Sequence, residues 1–334
     1  MIPVISMDDI AKLACVSKAT VSRVLSGSTL VAQPMRDHVL KVAGEAGYVV
    51  NRQARQFRGR AASAVAVACN LQSFDGTSTS DLIMRDVLSG VCAALASCGK
   101  ETLLVSAPSN GVTGYFQELI SSGGAEGLIF LQYGQSGKLL EGLARAGVPL
   151  VAWGAANNGN TFSTVGSDGF TGGQLAGRYF IKHHRRNIVF VGNARDKEVH
   201  ALRAGLQDIV AKSELVAIRD LMIKSENAED GFMAATRLLN SGLPLPDGVL
   251  AQSDTVAMAF LSAFRDAGVS APKDFNVIGF GDIEVSQYFN PPLTTIYQDS
   301  ELIGRMLVEK LQDAIMGELP NPTALTVTLI DRGS

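Results

Sequence analysis

Lys18, Ala19 and Arg23 stand among the hydroxyls of Ser17, Thr20 and Ser22, and these six side chains have the chemistry to address a DNA groove. Lysine and arginine donate to guanine O6 and N7, and an alanine methyl packs on the thymine methyl. Short hydroxyls bind phosphates and fix the register without reading sequence. To act together, the six must project from the start of one helix, and the flanking residues supply it. Ser6-Met7-Asp8-Asp9 is a capping-box start, followed by Ile10, Leu13 and Ala14 on one face. Cys15-Val16 forms a turn, Ser17 caps a second helix, and Val21, Val24 and Leu25 point inward. Gly27-Ser28 breaks that helix; Pro34 fits the first turn of a third, with Val39, Val42, Ala43 and Ala46 as its buried stripe and Gly47 closing it. Two helices across a tight turn, the second presenting polar and basic residues at its N-terminus, make a helix-turn-helix for the major groove.

Charge agrees with that reading without deciding it. Residues 1–60 hold nine lysines and arginines against four acids, a balance of +5, whereas the other residues carry −8. A basic head on an acidic body suits a nucleic-acid binder whose body has another task. The rival reading is a solvated basic face, with Lys18 and Arg23 as ordinary helix-surface charge.

The ordered motifs resemble the LacI/GalR family of bacterial transcription regulators. The resemblance rests on Ile5-Ser6-Met7-Asp8-Asp9-Ile10-Ala11, on Val16 to Leu25, on Gly47-Tyr48, and on Asn51-Arg52-Gln53-Ala54-Arg55. Downstream it continues through Val165-Gly166-Ser167-Asp168, Ser253-Asp254, Ile278-Gly279-Phe280-Gly281-Asp282 and Pro291 to Asp299, covering nearly the whole chain. It implies that Lys18, Ala19 and Arg23 carry most of the base discrimination. It also implies a hinge helix at 51–58, where Asn51, Ala54 and Arg55 meet DNA and Phe57 replaces the leucine that wedges into the central base step. Eight residues are too few for a stable isolated helix, so the hinge is expected to order on DNA. Cys15 stands where the family has a turn glycine, and Val50 where it has proline. A left-handed Cys15 would cost about 1 kcal/mol.

From residue 61, apolar runs alternate with helical stretches: Ala64–Cys69, 102–106, 127–131, Leu150–Trp153, 188–191, 218–223, 249–251 and 277–280. Such alternation means parallel sheets with helices on both faces. The expected fold class is α/β, an all-α helix-turn-helix head (1–50) and a hinge (51–60) followed by a two-lobed, doubly wound core (61–334). The resemblance makes that core periplasmic-binding-protein-like, with three crossing strands and a small effector in the cleft. By analogy, helices near 82–98 and 114–123 belong to the first lobe; the second starts near Thr164, and the chain recrosses around 281–296.

Effector contacts implied by the resemblance are Trp153, Arg203, Ser253, Asp254, Gly281 and Gln298. Gly154 and Gly281 occupy positions where members that bind neutral sugars have aspartates, which favours an anionic effector such as a sugar acid, held by an arginine. Arg203 lies two residues before Gly205 rather than three, and Arg195 and His200 are its alternates. Trp153, the only tryptophan, either stacks on the ligand or packs within a lobe. Asp168 and Asp282 read as helix caps, and His183-His184 as a cation-favouring helix end rather than a metal site.

Neither a cofactor nor a metal is expected. The four cysteines form no C-x-x-C pair, and no nucleophile elbow, P-loop, H-E-x-x-H or dinucleotide fingerprint occurs. The composition, 46% hydrophobic at net charge −3, excludes disorder, and no apolar run reaches the roughly 18 residues of a membrane span. Without a secretory start the expected address is cytoplasmic. The expected function is a ligand-controlled repressor on double-stranded, pseudo-palindromic DNA. With no leucine-heptad tail after residue 330, the expected assembly is a homodimer. A solute-binding protein or a sugar-metabolising enzyme of α/β fold is the alternative.

Overall fold

The computed structural model describes residues 7–25, 30–46, 64–69, 78–106, 113–131, 137–156, 159–193, 196–213 and 217–334. The chain divides into two compact units, Met1–Ala61 and Ala62–Ser334.

The first unit holds α1 (Met7–Leu13), α2 (Lys18–Leu25) and α3 (Gln33–Glu45). Ile10, Ala11, Ala14, Val21, Val24, Val39 and Ala43 form its buried core. Leu13 departs from expectation at 60% exposure. At 100° per residue, Ile10, Ala14 and Ala11 fill one stripe of α1, and Leu13 falls roughly 60° outside it. The turn is tight: the Cys15 amide donates to Lys12 O at 3.2 Å and the Val16 amide to Ala11 O at 3.0 Å, with Cys15 left-handed at φ 54°. Ser17 caps α2 as expected, its Oγ accepting from the Thr20 amide at 3.1 Å. Pro34 sits in the first turn of α3.

The described strands of the second unit build two six-stranded sheets. In the first lobe the strands are β1 (Ala64–Cys69), β2 (Glu101–Ser106), β3 (Leu128–Phe130), β4 (Leu150–Trp153), β5 (Ser163–Ser167) and β11 (Thr323–Leu325). They pair in the order β11-β5-β4-β3-β1-β2, all parallel. One face packs on α4 (Thr79–Ser97) and on a late helix, α11 (Ser300–Ile315). The other face meets α5 (Thr113–Ser121) and α6 (Gly137–Arg145). The second lobe contains β6 (Asn187–Gly192), β7 (Ala217–Met222), β8 (Gly248–Ala251), β9 (Asn276–Gly281), β10 (Thr294–Tyr297) and β12 (Thr328–Ile330), ordered β12-β10-β9-β8-β6-β7. Only β12 runs antiparallel there, along β10. Its layers are α7 (Gly169–Lys182) with α8 (Lys197–Val210) on one face, and α9 (Ala228–Leu239) with α10 (Asp254–Asp266) on the other. Strands such as Ala-Val-Ala-Val-Ala-Cys are buried throughout, as a sheet covered on both faces requires.

Close helix packing in both lobes depends on glycine. A Cβ on Gly205 of α8 would lie 1.9 Å from Phe170 O, and one on Gly173 of α7 would lie 2.0 Å from Leu202 O. In the first lobe a Cβ on Gly304 would lie 2.7 Å from Val87 O.

The chain passes between lobes after β5, between β10 and α11, and between β11 and β12. These crossings correct the expected boundaries. Residues 163–167 belong to the first lobe, so the second begins at Asp168 rather than near Thr164. The segment 281–293 stays in the second lobe, forming the 3₁₀ turn Glu284–Tyr288, and the return comes at Gln298-Asp299 because β10 first pairs with β9. The crossings are tied together: Ser167 Oγ donates to Gln298 Oε1 at 2.8 Å, and the Asp168 amide to Leu325 O at 2.8 Å. Asp168 and Asp299 cap the helices that follow them. Among the described residues no helix is long and apolar enough to cross a membrane.

Candidate nucleic-acid surface and interlobe cleft

On the head, α2 presents its N-terminal half outward. Lys18, Ala19 and Arg23 are exposed, Thr20 and Ser22 half-buried, while Val21 and Val24 hold the inner face. Lys18, Ala19, Ser22 and Arg23 line one shallow concavity, which brings both cations, the alanine methyl and a hydroxyl together. Ser17 and Thr20 also bond each other through their hydroxyls at 2.9 Å, so these two stiffen the helix start that carries the cations. The expected hinge contacts Asn51, Ala54, Arg55 and Phe57 lie outside the described residues, as does Arg195.

In the core, the carboxyl ends of strands from both sheets converge, the place where open α/β sheets take ligands. Ser78, Thr79 and Ser80 lead from β1 into α4; Glu226, Ser253 and Gly281 follow or end β7, β8 and β9. The Ser80 amide donates to Glu226 Oε1 at 2.7 Å, and Gln252 Nε2 donates to Glu226 Oε2 at 3.3 Å. From beyond β4, the Ala155 amide reaches the Glu198 carboxylate at the start of α8. Burial pushes the Glu198 carboxyl up to about 8, and the charges of Asp196 and Glu226 add to the rise against the Ala155 hydrogen bond. Burial also raises Glu226, opposed by its bonds from Ser80 and Gln252. Two second-lobe carboxyls, both raised by burial, therefore sit where the lobes meet, and no described lysine or arginine forms an ion pair with either.

Several expected effector contacts are engaged elsewhere. Asp254 is fully buried: Oδ2 accepts from the Ile283 amide at 2.9 Å and from Ser286 Oγ at 2.6 Å, and Oδ1 accepts from Thr295 Oγ1. It ties α10 to the β9–β10 connection. Burial raises its carboxyl to about 6 in spite of these donors. Ser253 is the N-cap of α10, accepting from the Val256 amide at 3.4 Å. Arg203 is pulled onto β7, with Nε donating to Asp220 and Nη1 to Gln207 at 3.0 Å. Trp153 is 8% exposed within the first-lobe core, the packing alternative of its two readings. Gln298 stands half-buried at a crossing, bonded by Ser167. Gly281 has φ +138°, a region open to glycine, and a Cβ there would fall 2.6 Å from the Thr79 methyl. The missing carboxylate thus leaves room for a contact from the other lobe. Asp282, expected as a helix cap, is left-handed and ion-paired with Arg332 at 2.6 Å.

The residues that motif matching passed over are Glu198 and Glu226. Each lies just beyond a strand of the second sheet, so their signal was position at a strand's carboxyl end rather than membership of a motif.

Comparison with known proteins matches residues 6–51 to the model for bacterial regulatory proteins of the lacI family, and residues 178–334 to the periplasmic binding protein-like domain. The HTH-type transcriptional regulator CelR of Thermobifida fusca is 29% identical, with 96% of this chain and 95% of that protein aligned. The ribose operon repressor of Haemophilus influenzae is 26% identical over 97% of this chain and 95% of its own. The HTH-type transcriptional repressor PurR of Proteus mirabilis is 25% identical over 98% and 96%. Among solved structures, a lac repressor dimer bound to operator and the anti-inducer ONPF shares the fold, with a TM-score of 0.87, 22% identity and 99% of both chains covered. A CelR–cellobiose complex has a TM-score of 0.70 at 26% identity, again covering 99% of each chain.

Proposed function

The chain belongs to the LacI family of bacterial regulatory proteins, and from that premise we propose that it represses transcription as a homodimer whose grip on a pseudo-palindromic operator is set by a neutral sugar in the interlobe cleft. That it is an effector-controlled, DNA-binding regulator and not an enzyme follows from the family. The effector's class is our reading, and Glu198 with Glu226 carries it. Carboxyl groups accept hydrogen bonds from sugar hydroxyls, and a carboxyl held neutral near pH 7, as at Glu198, can donate one as well. A ligand carboxylate about 4 Å from a charged acid would cost on the order of 4 kcal/mol at an effective dielectric near 20. The sugar acid suggested by Gly154 and Gly281 therefore fits less well than a sugar. Similarity to CelR, solved with cellobiose, and to a ribose operon repressor supports the same class.

Pairing of two chains has a surface available on the second lobe. Phe232, Met233, Met258, Val285 and Phe289 line an apolar groove between α9, α10 and the turn Glu284–Tyr288, with Met233 53% exposed. Two heads held by such a pair would present two recognition helices to two half-sites.

Calorimetry on the full chain with glucose and gluconate, differing by a single carboxylate, tests the effector class. At about pH 9, where Glu198 is ionised, the neutral member is expected to bind tighter, and Glu198→Gln to narrow the gap. Tighter binding of gluconate would overturn the neutral-sugar reading and leave the regulator assignment standing.

A further inference from the structure

The lobes are joined by the three crossings, yet they are held a second time at a place no crossing segment reaches. Thr79 Oγ1 accepts from the Thr255 amide at 2.9 Å and meets the Thr255 hydroxyl at 2.8 Å. The Ser80 amide donates to Glu226 Oε1 at 2.7 Å, and Ser78 makes an isolated antiparallel bridge with Asn227. Three successive residues at the head of α4 thus engage the β7–α9 connection, the start of α10 and, through the Thr79 methyl, the end of β9. Thr79 is 2% exposed, so these contacts exclude water.

We propose that residues 78–80 form a latch that draws the lobes together through protein contacts alone, and that the bare backbone of Gly281 sets how far they close. The latch is made of neutral or singly charged hydrogen bonds whose partners regain water when the lobes part. Each one therefore shifts the closed-to-open ratio by roughly twofold to tenfold rather than welding the lobes. A latch of that strength leaves an equilibrium that a cleft ligand can bias in either direction. Gly281 is the limiting contact. Any side chain there meets the Thr79 methyl at 2.6 Å, well inside van der Waals contact, and the methyl belongs to a short, fully packed side chain with nowhere to swing. Aspartate or alanine at 281 would hold the lobes apart, and so weaken the latch, without removing any of its hydrogen-bonding groups.

Amide hydrogen exchange on the full-length chain tests this without DNA or effector, so it stands or falls independently of the function proposed above. Gly281→Ala should speed exchange of the Ser80 and Thr255 amides by roughly tenfold. The amides of β6, Asn187–Gly192, should keep their rates and report that the second lobe stays folded. Adding Thr79→Ser, which deletes the methyl and keeps the hydroxyl, should return both latch amides toward their original rates. If Gly281→Ala loosens the whole lobe, Thr255→Ala serves instead: it removes the hydroxyl that meets Thr79 and adds no atom, and should speed Ser80 exchange by roughly twofold to tenfold. Unchanged Ser80 exchange in these variants would overturn the latch. Acceleration by Gly281→Ala that Thr79→Ser does not reverse would assign Gly281 to backbone strain alone and overturn its role as the limiting contact.

Discussion

At the scale of single residues, Glu198 links the cleft to pH. Its carboxyl titrates near 8 in the folded chain, above the ordinary carboxylate value of 4.5, so the folded state holds a proton that the unfolded state releases. The stability this contributes is full below about pH 4.5 and is lost as pH rises towards 8. Glu198→Gln should flatten the fall of thermal stability between pH 5 and 8; an unaltered slope in scanning calorimetry would refute the assignment. On the head, Arg23→Ala should cost about 1–3 kcal/mol at one base position per half-site, as binding to single-base operator variants would show. Equal weakening on random DNA would demote Arg23 to a phosphate contact. The head side chains were legible in the sequence because their roles follow from type and spacing on one short helix. The cleft was less so. Asp254 and Ser253 matched a motif, but that motif's partners are Ile283, Ser286 and Thr295 in the chain's own frame. Glu198 and Glu226 had no motif, and only the folded strand ends bring them together.

At the scale of elements, periodicity located the strands that are mainly apolar, Ala217–Met222 included despite its Arg219-Asp220, and overlooked those that are polar or preceded by proline. Ser163–Ser167 reads Ser-Thr-Val-Gly-Ser, too polar to stand out, and Thr294–Tyr297 hides behind two prolines. The missed strand β5 is what displaced the expected lobe boundary. Helix packing was equally silent in the sequence, because Gly173 and Gly205 announce nothing until their backbones meet. Gly205→Ala should destabilise the second lobe by about 3 kcal/mol, the upper end for overpacking, since the obstructing atom at 1.9 Å is a backbone oxygen that cannot swing aside. Chemical denaturation measures this, and a loss below about 0.5 kcal/mol would show that α7 and α8 separate freely.

At the scale of the whole molecule, pairing and connectivity matter most. Met233→Asp places a charge in the apolar groove of the second lobe and should shift the chain towards monomer in sedimentation velocity, weakening operator binding in step. A variant that stays dimeric would move the interface off that groove. The triple crossing has a consequence for how the protein is made. A nascent chain leaving the ribosome completes the head early, once residue 46 is clear. Its first lobe, by contrast, must wait with α4 and Trp153 uncovered while residues 168–299 are synthesised, because α11, which packs over them, comes afterwards. At bacterial-to-eukaryotic elongation rates that interval is roughly 7–26 s. During it the edge of β5 stands open, since its neighbour β11 is later still. Translation speed and the chaperones that shield exposed apolar surface are therefore part of this regulator's assembly, with neither lobe finished until residues 323–330 supply β11 to the first and β12 to the second.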